Sequence, residues 1–294
     1  MGRDLTQRVQ QTAAAQTGAE PQQAPPPTIE NRIRQMESQF ALAAPRGMEA
    51  TQLVRDAITA IRTTKNLAKC DQVSILGGLM TCAQLGLRPG VLGHAWLLPF
   101  WDRKANEGRG GHVAQLVIGY QGLIDLAHRS GKIASLIART VYEKDTFDVD
   151  YGLADSLVHK PMIIGDRGDP IAYYAIAKFT NGGHAFYVMS HTDMEKYRDA
   201  FATAKTREGV VVGPWRDNFE GMAHKTCMRQ LSKWMPKTTE LALAIEADNS
   251  VRLDISPENV ATSLQHPSDG YLEGEVVAHP EGEQKPAEQT GDQR

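Results

Sequence analysis

The sequence predicts an α+β domain in which antiparallel hairpins and a small sheet pack with helices, between disordered termini. Two observations carry this prediction. Two pairs of strand-like runs, each joined by a glycine-rich loop, occupy the middle of the chain, and apolar runs at helical spacing precede and follow them. The regular strand–helix alternation of a parallel sheet does not occur. With 294 residues, the chain can bury a sizeable core.

The chain divides into three predicted segments. Residues 1–40 are predicted to be disordered, because residues 1–28 are rich in Gln, Ala, Thr and Pro and offer too little apolar surface to offset the entropy of ordering. Residues 41–255 are predicted to form one folded domain. Residues 256–294 are predicted to form an acidic, flexible tail.

The formal net charge of −3 conceals a segregation of charge along the chain. Residues 46–237 carry 25 Lys and Arg against 19 Asp and Glu, whereas residues 238–294 carry 3 against 12. A basic body with an acidic tail is typical of a polyanion-binding protein. The alternative is an ordinary enzyme with a terminal solubility tail, which explains this charge distribution nearly as well.

Helical spacing predicts two helices before residue 90. The first is indicated by Leu53, Val54, Ala57, Ile58 and Ile61. The second is indicated by Val73, Leu76, Met80, Ala83 and Leu87. Asp71 is the expected N-cap of the second helix, and Gly86 with Pro89 marks its end.

Strands and further helices follow in order. Strands are predicted near 93–101 and 113–120, then a helix near 121–130 that Gly131 ends, then strands near 132–142 and 145–151. The runs IAYYAIAKF and HAFYVMS flank a loop with Asn181 and Gly182, which is a strong hairpin signal. Three helices are predicted after it, near 192–203, 215–235 and 239–246.

Cys70, Cys82 and Cys227 are too few and too scattered for a disulfide framework or a CxxC zinc site. Buried free thiols are therefore expected, as in a reducing cytosol. The N-terminus lacks the apolar segment of a signal peptide, and no run has the length of a membrane span. We expect a soluble, intracellular protein.

The predicted helix over 215–235 places three basic residues on one stripe. Lys225, Arg229 and Lys233 fall at i, i+4 and i+8, and no acidic residue lies between Glu220 and Glu240. Such a stripe is usually a solvated face, but its uncompensated charge favours an anion opposite it. A separate apolar arc would face the core: Phe219, Ala223, Cys227, Leu231 and Trp234.

The loop between the first two predicted strands carries Arg103, Lys104, Arg109 and His112 among several glycines. Basic side chains can pair with phosphates, and glycines let the backbone approach them closely. The alternative is an ordinary mobile hairpin tip with solubilising charge.

Aromatic residues beside basic ones are predicted stacking platforms for nucleobases, because every base offers a π-face. Tyr120 and Trp215 are the best placed, since a glycine or a proline immediately precedes each.

Enzymatic signatures are weak. The chain has no GxxxxGK[ST] motif for ATP phosphates, and its histidines lack metal-ligand spacing. The acidic residues Asp145, Asp148 and Asp150 alternate along a predicted strand. A two-metal nuclease needs several converging carboxylates, commonly with a lysine near the last one, and this cluster has no such lysine partner. A metal-dependent nucleic-acid enzyme nevertheless stays open as an alternative.

Three blocks resemble the signature blocks of the RecT family of phage single-strand annealing proteins: GHAWLLPF, LVIGYQGLIDLAHRSG, and GPW followed by EGMAHKTCMRQLSKWMP. The resemblance covers about residues 45–255. It implies ATP-independent binding of single-stranded DNA and annealing of complementary strands, by an oligomeric ring or helical filament with a basic groove. It implies no cofactor, with Mg²⁺ at most assisting.

The implied partners are a 5′→3′ exonuclease and the host single-stranded-DNA-binding protein, and no membrane. The implied location is the cytoplasm of a bacterial host, with a phage or prophage origin.

The resemblance also assigns DNA-binding roles. It places the loop residues Arg103, Lys104 and Arg109 and the late basic residues Lys225, Arg229 and Lys233 in the DNA groove. The full predicted set adds His112, Tyr120, Gln121, Arg129, Arg139 and Trp215.

Two positions depart from the family pattern. The family commonly has Arg where this chain has Gln121, and often Lys where it reads Gly111-His112. Both changes remove positive charge, so weaker binding at high salt, or a pH-sensitive contact at His112, is predicted. A passive single-strand-protecting protein is the remaining alternative function.

Overall fold

The computed structural model describes residues 28–258 except positions 106, 203, 207 and 237, together with the backbone of residues 264 and 265. The architecture is α+β, as predicted, with helices packed on small antiparallel sheets. The disorder predicted for residues 1–27 and the flexibility predicted for most of the tail beyond 258 lie outside the described residues.

The chain is helical before residue 40. Helices α1 (Ile29–Gln35) and α2 (Glu37–Ala43) precede α3 (Ala50–Thr63). The predicted disorder is therefore wrong for residues 29–40, because Ile29, Ile33 and Phe40 form an apolar stripe at helical spacing and are buried.

Helix α4 (Gln72–Leu85) lies at the centre of the core. The Asp71 side chain caps it by accepting from the Ser74 amide at 2.8 Å, and Gly86 ends it in the left-handed conformation, with φ 63°. Both predicted boundaries are confirmed. The helix is buried on nearly all sides because β2, β8 and α2 pack around it.

Strands β1 (Ala95–Asp102) and β2 (Gly111–Ile118) form the first predicted hairpin. Successive side chains alternate between its faces. The face with Ala95 and Leu97 packs into the core with Ala114, Leu116 and Ile118. The opposite face carries Trp96, Leu98 and Phe100. Helix α5 (Tyr120–Arg129) follows directly.

A three-stranded sheet in the order β3-β6-β7 forms the second half of the fold, from β3 (Ile133–Tyr142), β6 (Pro170–Phe179) and β7 (His184–Ser190). The predicted hairpin turn at 180–183 is confirmed. Tyr173 and Ala175 face the helices, whereas Tyr174 faces the hairpin of β4 (Thr146–Asp150) and β5 (Ser156–Lys160). Strand β5 was not predicted.

Four helices follow the sheet: α6 (His191–Phe201), α7 (Pro214–Asp217), α8 (Phe219–Leu231) and α9 (Thr239–Ala247). The single helix predicted over 215–235 is broken at Asn218, which has φ −150° and whose side chain accepts from the Gly221 amide at 3.0 Å to cap α8. Strand β8 (Val251–Arg252) then pairs with β9 (Leu264–Gln265).

Cys70, Cys82 and Cys227 are buried free thiols, as predicted from the helical patterns around Cys82 and Cys227. Burial raises the pKa of Cys82 and of Cys227 to about 12. Within the described part of the chain, no helix combines the length and the apolar character needed to cross a membrane.

Candidate nucleic-acid interface

One cleft runs along the outer face of the β1–β2 hairpin. Two cavities of about 430 and 220 Å³ share Leu98, Val117, Pro214 and Met222, and therefore adjoin. Trp96, Leu98 and Phe100 line the hairpin side because they alternate with the core-facing residues of β1. The opposite wall comes from the segment between α6 and the start of α8, with Phe201, Ala204, Val212, Pro214, Trp215, Asn218 and Met222.

Glycines allow close packing beside the cleft where β2 turns into α5. A Cβ at Gly119 would lie 2.0 Å from the Gly93 carbonyl oxygen and 2.5 Å from the Trp96 ring. A Cβ at Gly122 would lie 2.4 Å from the His94 carbonyl oxygen. The indole of Trp96 therefore rests on backbone, and the residue keeps 40% of its surface exposed.

The hairpin loop presents basic side chains to solvent. Arg103, Lys104, Arg109 and His112 are all exposed. Within the described residues, no carboxylate lies within salt-bridge distance of Arg103 or Arg109. The His112 ring makes an edge contact with Trp101, with centroids 5.1 Å apart. Its three Lys and Arg side chains outnumber its two carboxylates, Asp102 and Glu107, so the loop surface is cationic.

The late basic stripe differs from its prediction. Lys225 Nζ donates to Asp248 Oδ1 at 2.6 Å, and Arg229 Nη1 donates to Asp248 Oδ2 at 2.9 Å. Lys225 and Asp248 are buried, with side chains 4% and 1% exposed. Burial lowers the pKa of Lys225, and the Asp248 carboxylate offsets part of that effect. The expectation of an uncompensated, solvent-facing stripe is wrong for Lys225 and Arg229, because their counter-ion comes from beyond α9.

Asp248 also organises the backbone around it. Its Oδ1 accepts from the Ile118 amide at 2.9 Å, which ties the end of β2 to α8. Lys233, the third residue of the stripe, is exposed and donates to Gln230 Oε1 at 2.5 Å.

The apolar arc of α8 is mostly as predicted. Ala223, Cys227 and Leu231 are buried, and Phe219 packs partly buried against the core. Trp234 is 74% exposed, so its predicted core position is wrong. The reason is that α8 ends at Leu231, and the following turn directs Trp234 away from the helix face.

The other predicted residues divide by location. Tyr120 lines the cleft and its ring approaches that of His224, with centroids 5.9 Å apart. Trp215 lines the wall but is only 8% exposed. Gln121 is exposed beside Gly93.

Arg129 and Arg139 lie outside the cleft lining. Arg129 donates from Nη1 to the Leu85 carbonyl oxygen at 2.8 Å and from Nη2 to the Gly86 carbonyl oxygen at 2.9 Å, which caps the end of α4, and it also binds Asp125. Arg139 is opposite Tyr174 in the register of β3 and β6. It lies on the sheet face that is directed toward β4 and β5, and it remains exposed there.

The acidic residues of β4 and its preceding turn do not converge. Asp145 is buried and binds Arg167 and His159, with the His159 Nε2 contact at 3.1 Å. The Arg167 guanidinium, with further amide and imidazole donors, holds the pKa of Asp145 well below its usual range. Asp148 and Asp150 are exposed on β4. No three acidic, His or Cys side chains of the described residues are grouped to hold a metal ion.

Sequence prediction missed Trp96, Phe201 and Met222 in the cleft and Asp248 beneath it. Alternation along β1 could have identified Trp96, because Ala95 and Leu97 face the core. Asp248 carried no local signal, since it lies 23 residues beyond Lys225.

Comparisons with known proteins identify the family. Residues 51–261 match the model of the RecT family. The chain is 42% identical to Protein RecT of Escherichia coli K12 over 225 residues, which cover 76% of this chain and 80% of that protein. The chain belongs to the RecT family. It is also 26% identical to the uncharacterized protein YqaK of Bacillus subtilis 168 over 230 residues, 74% of this chain and 71% of that protein. The recognition from three sequence blocks is confirmed, and every cleft residue named above lies within the span matched by the RecT family model. This is a recombination protein of the RecT family.

Proposed function

We propose that this protein binds single-stranded DNA along the cleft beside the β1–β2 hairpin and anneals complementary strands without ATP. Its membership of the RecT family, a family of recombination and annealing proteins, supports this activity. The single observation that carries the location is the juxtaposition of an aromatic, apolar cleft with an exposed cationic loop on one hairpin.

The two parts of the hairpin suit the two parts of a nucleotide. Exposed Arg103 and Arg109 can neutralise phosphates, and Arg forms bidentate contacts with phosphate oxygens. Trp96 and Tyr120 offer ring faces to bases without reading their edges. The interface is thus sequence-tolerant, which an annealing protein requires.

Annealing needs no nucleotide hydrolysis. Each base step gained in a DNA duplex releases about 1.4 kcal/mol through stacking. The barriers are phosphate repulsion and the search for register, and a cationic surface that extends one strand lowers both. ATP therefore has no role in the proposed mechanism, and Mg²⁺ at most assists by screening phosphates.

The proposal includes assembly and partners. The cleft consists of two cavities of only about 430 and 220 Å³, so one subunit contacts few nucleotides. Stable binding therefore requires many subunits side by side in a ring or helical filament. We propose a 5′→3′ exonuclease as the source of the single strand and the host single-stranded-DNA-binding protein as a further partner. The proposed setting is the cytoplasm of a bacterial host, with a phage or prophage origin.

The test is a strand-annealing assay with two complementary oligonucleotides that carry a donor and an acceptor dye. We expect the protein to accelerate energy transfer in buffer without ATP, with and without Mg²⁺. Binding with slowed pairing would instead identify a passive single-strand-protecting protein. Mg²⁺-dependent shortening of the labelled strands on a denaturing gel would identify a nuclease.

A further inference from the structure

The indole of Trp96 is built as a platform. The edge of the ring formed by Cζ3 and Cη2 lies against the backbone of Gly119 and Gly93, where a Cβ would lie 2.5 Å and 3.6 Å from the ring, respectively. A core tryptophan is normally covered on both sides, yet this residue is 40% exposed beside the smaller cavity. The ring is therefore fixed in position while part of its surface stays open.

The cavity beside this ring is enclosed mainly by apolar atoms. We call it the Trp96 pocket, defined by Trp96, Leu98, Val117, Tyr120 and Met222. Its volume of about 220 Å³ is sufficient for one planar heterocycle.

Two polar groups at the margin of the Trp96 pocket already have partners. Asn218 Oδ1 accepts from the Gly221 amide at 3.0 Å, and Lys225 Nζ is bound to Asp248. The mainly apolar lining therefore recognises a ligand chiefly by its ring faces and shape.

We propose that the Trp96 pocket takes one unpaired nucleobase of the bound strand, stacked on the indole. This inference rests on the proposed function, since it names what part of the single strand enters the cleft. A nucleobase is favoured over an apolar peptide side chain because the same hairpin presents Arg103 and Arg109, whose charge is complementary to a phosphodiester backbone.

A base in the pocket cannot pair with a complementary strand at the same time. The pocket therefore stabilises the single strand before annealing and must release its base as the duplex forms. Consequently, the stacking contact strengthens binding to single strands and not to duplex of the same length.

The experiment compares oligothymidine with an oligonucleotide of equal length whose internal residues are abasic, so that phosphate charge is constant. The full-length chain is compared with Trp96→Ala and with Trp96→Leu, which keeps an apolar contact on the glycines but removes the π-face. Trp234→Ala is the matched control, because Trp234 is exposed outside the cleft. Affinities are measured by fluorescence anisotropy, and near-ultraviolet circular dichroism checks folding.

We expect the Trp96 variants to bind oligothymidine roughly 5- to 100-fold more weakly, which corresponds to the loss of stacking on one base. They should also lose most of the wild-type preference for oligothymidine over the abasic strand, while duplex binding and the Trp234 variant stay unchanged. An undiminished preference in folded Trp96→Leu would overturn the pocket alone. If Trp96→Leu also misfolds, the wild-type chain decides: equal quenching of its tryptophan fluorescence by both strands overturns the pocket. Failure of the wild-type chain to bind either strand would overturn the proposed function and the pocket together.

Discussion

Two groups of basic residues look alike in the sequence and differ in the structure. The hairpin loop carries Arg103 and Arg109, exposed and without a carboxylate partner among the described residues. Helix α8 carries Lys225 and Arg229, which share the buried carboxylate of Asp248. A count of charges cannot distinguish these groups, whereas burial and counter-ions do.

The difference assigns the two groups to different tasks. A phosphate approaching Lys225 would have to displace a carboxylate at 2.6 Å in a buried site, where removing one partner leaves an uncompensated charge. A phosphate approaching the loop displaces only water and counterions. Lys225 and Arg229 therefore stabilise the fold around Ile118 through Asp248. We expect the loop residues Arg103 and Arg109 to bind a polyanion.

The largest expected effect is on stability at the buried site. Replacing Asp248 with Ala leaves Lys225 buried without its counter-ion and frees the Ile118 amide, so we expect the free energy of unfolding to fall by about 3–5 kcal/mol. Urea denaturation followed by circular dichroism measures this change. Lys225→Met combined with Asp248→Asn should recover much of the loss, because no fully buried charge then remains unpaired and Arg229, whose side chain is 32% exposed, can be solvated by water. A loss below about 1 kcal/mol for Asp248→Ala would show that Lys225 reaches solvent after all.

The elements that sequence patterns predicted well are those fixed by local interactions. Asp71 caps α4 through an amide three residues away, and the 180–183 turn joins adjacent strands. The β1–β2 hairpin followed from two apolar, strand-like runs that flank a glycine-rich loop. The break in the long helix at Asn218 was missed because helical spacing continues across it, while the actual cap depends on one residue's conformation.

The candidate site was less predictable than the fold for the same reason. Its loop was evident because glycines and basic residues are adjacent in sequence. The fate of Lys225 depends on Asp248, and the role of Arg129 depends on the carbonyl groups at the end of α4. Both are tertiary contacts between distant segments. Spacing on one helix identifies which residues share a face, but not what lies opposite that face.

A second carboxylate with a buried side chain, that of Asp145, tests whether buried ion pairs also contribute to stability elsewhere in the fold. The pKa of Asp145 is held low mainly by Arg167, so the folded protein binds fewer protons than the unfolded chain in acid. The stability that this pair contributes is fully present above the unfolded carboxyl pKa, about 3.9, and is lost as the pH falls below it. Asp145→Asn should lower stability at neutral pH and flatten the acid limb of a stability–pH curve.

Asp148→Asn is the control for that measurement, because Asp148 is exposed on the same hairpin. It should leave the acid limb unchanged. Identical acid limbs for wild type and Asp145→Asn would indicate that the contacts of Asp145 with Arg167 and His159 do not persist in solution.

The smallest expected effect on stability comes from the loop, and it separates the two groups most directly. Arg103→Ala with Arg109→Ala should change the free energy of unfolding by less than about 0.5 kcal/mol, because both side chains are exposed. If each neutralises one phosphate of a single strand, the double variant should flatten the slope of log affinity against log salt by roughly 1.4. Lys233→Ala provides the matched exposed cation on the α8 side. Because Lys233 lies outside the cleft lining and away from the β1–β2 hairpin in sequence, we expect the slope of this variant to equal that of the wild type. An unchanged slope for the loop variant with a flattened slope for Lys233→Ala would reverse the comparison and return the polyanion contact to the end of α8.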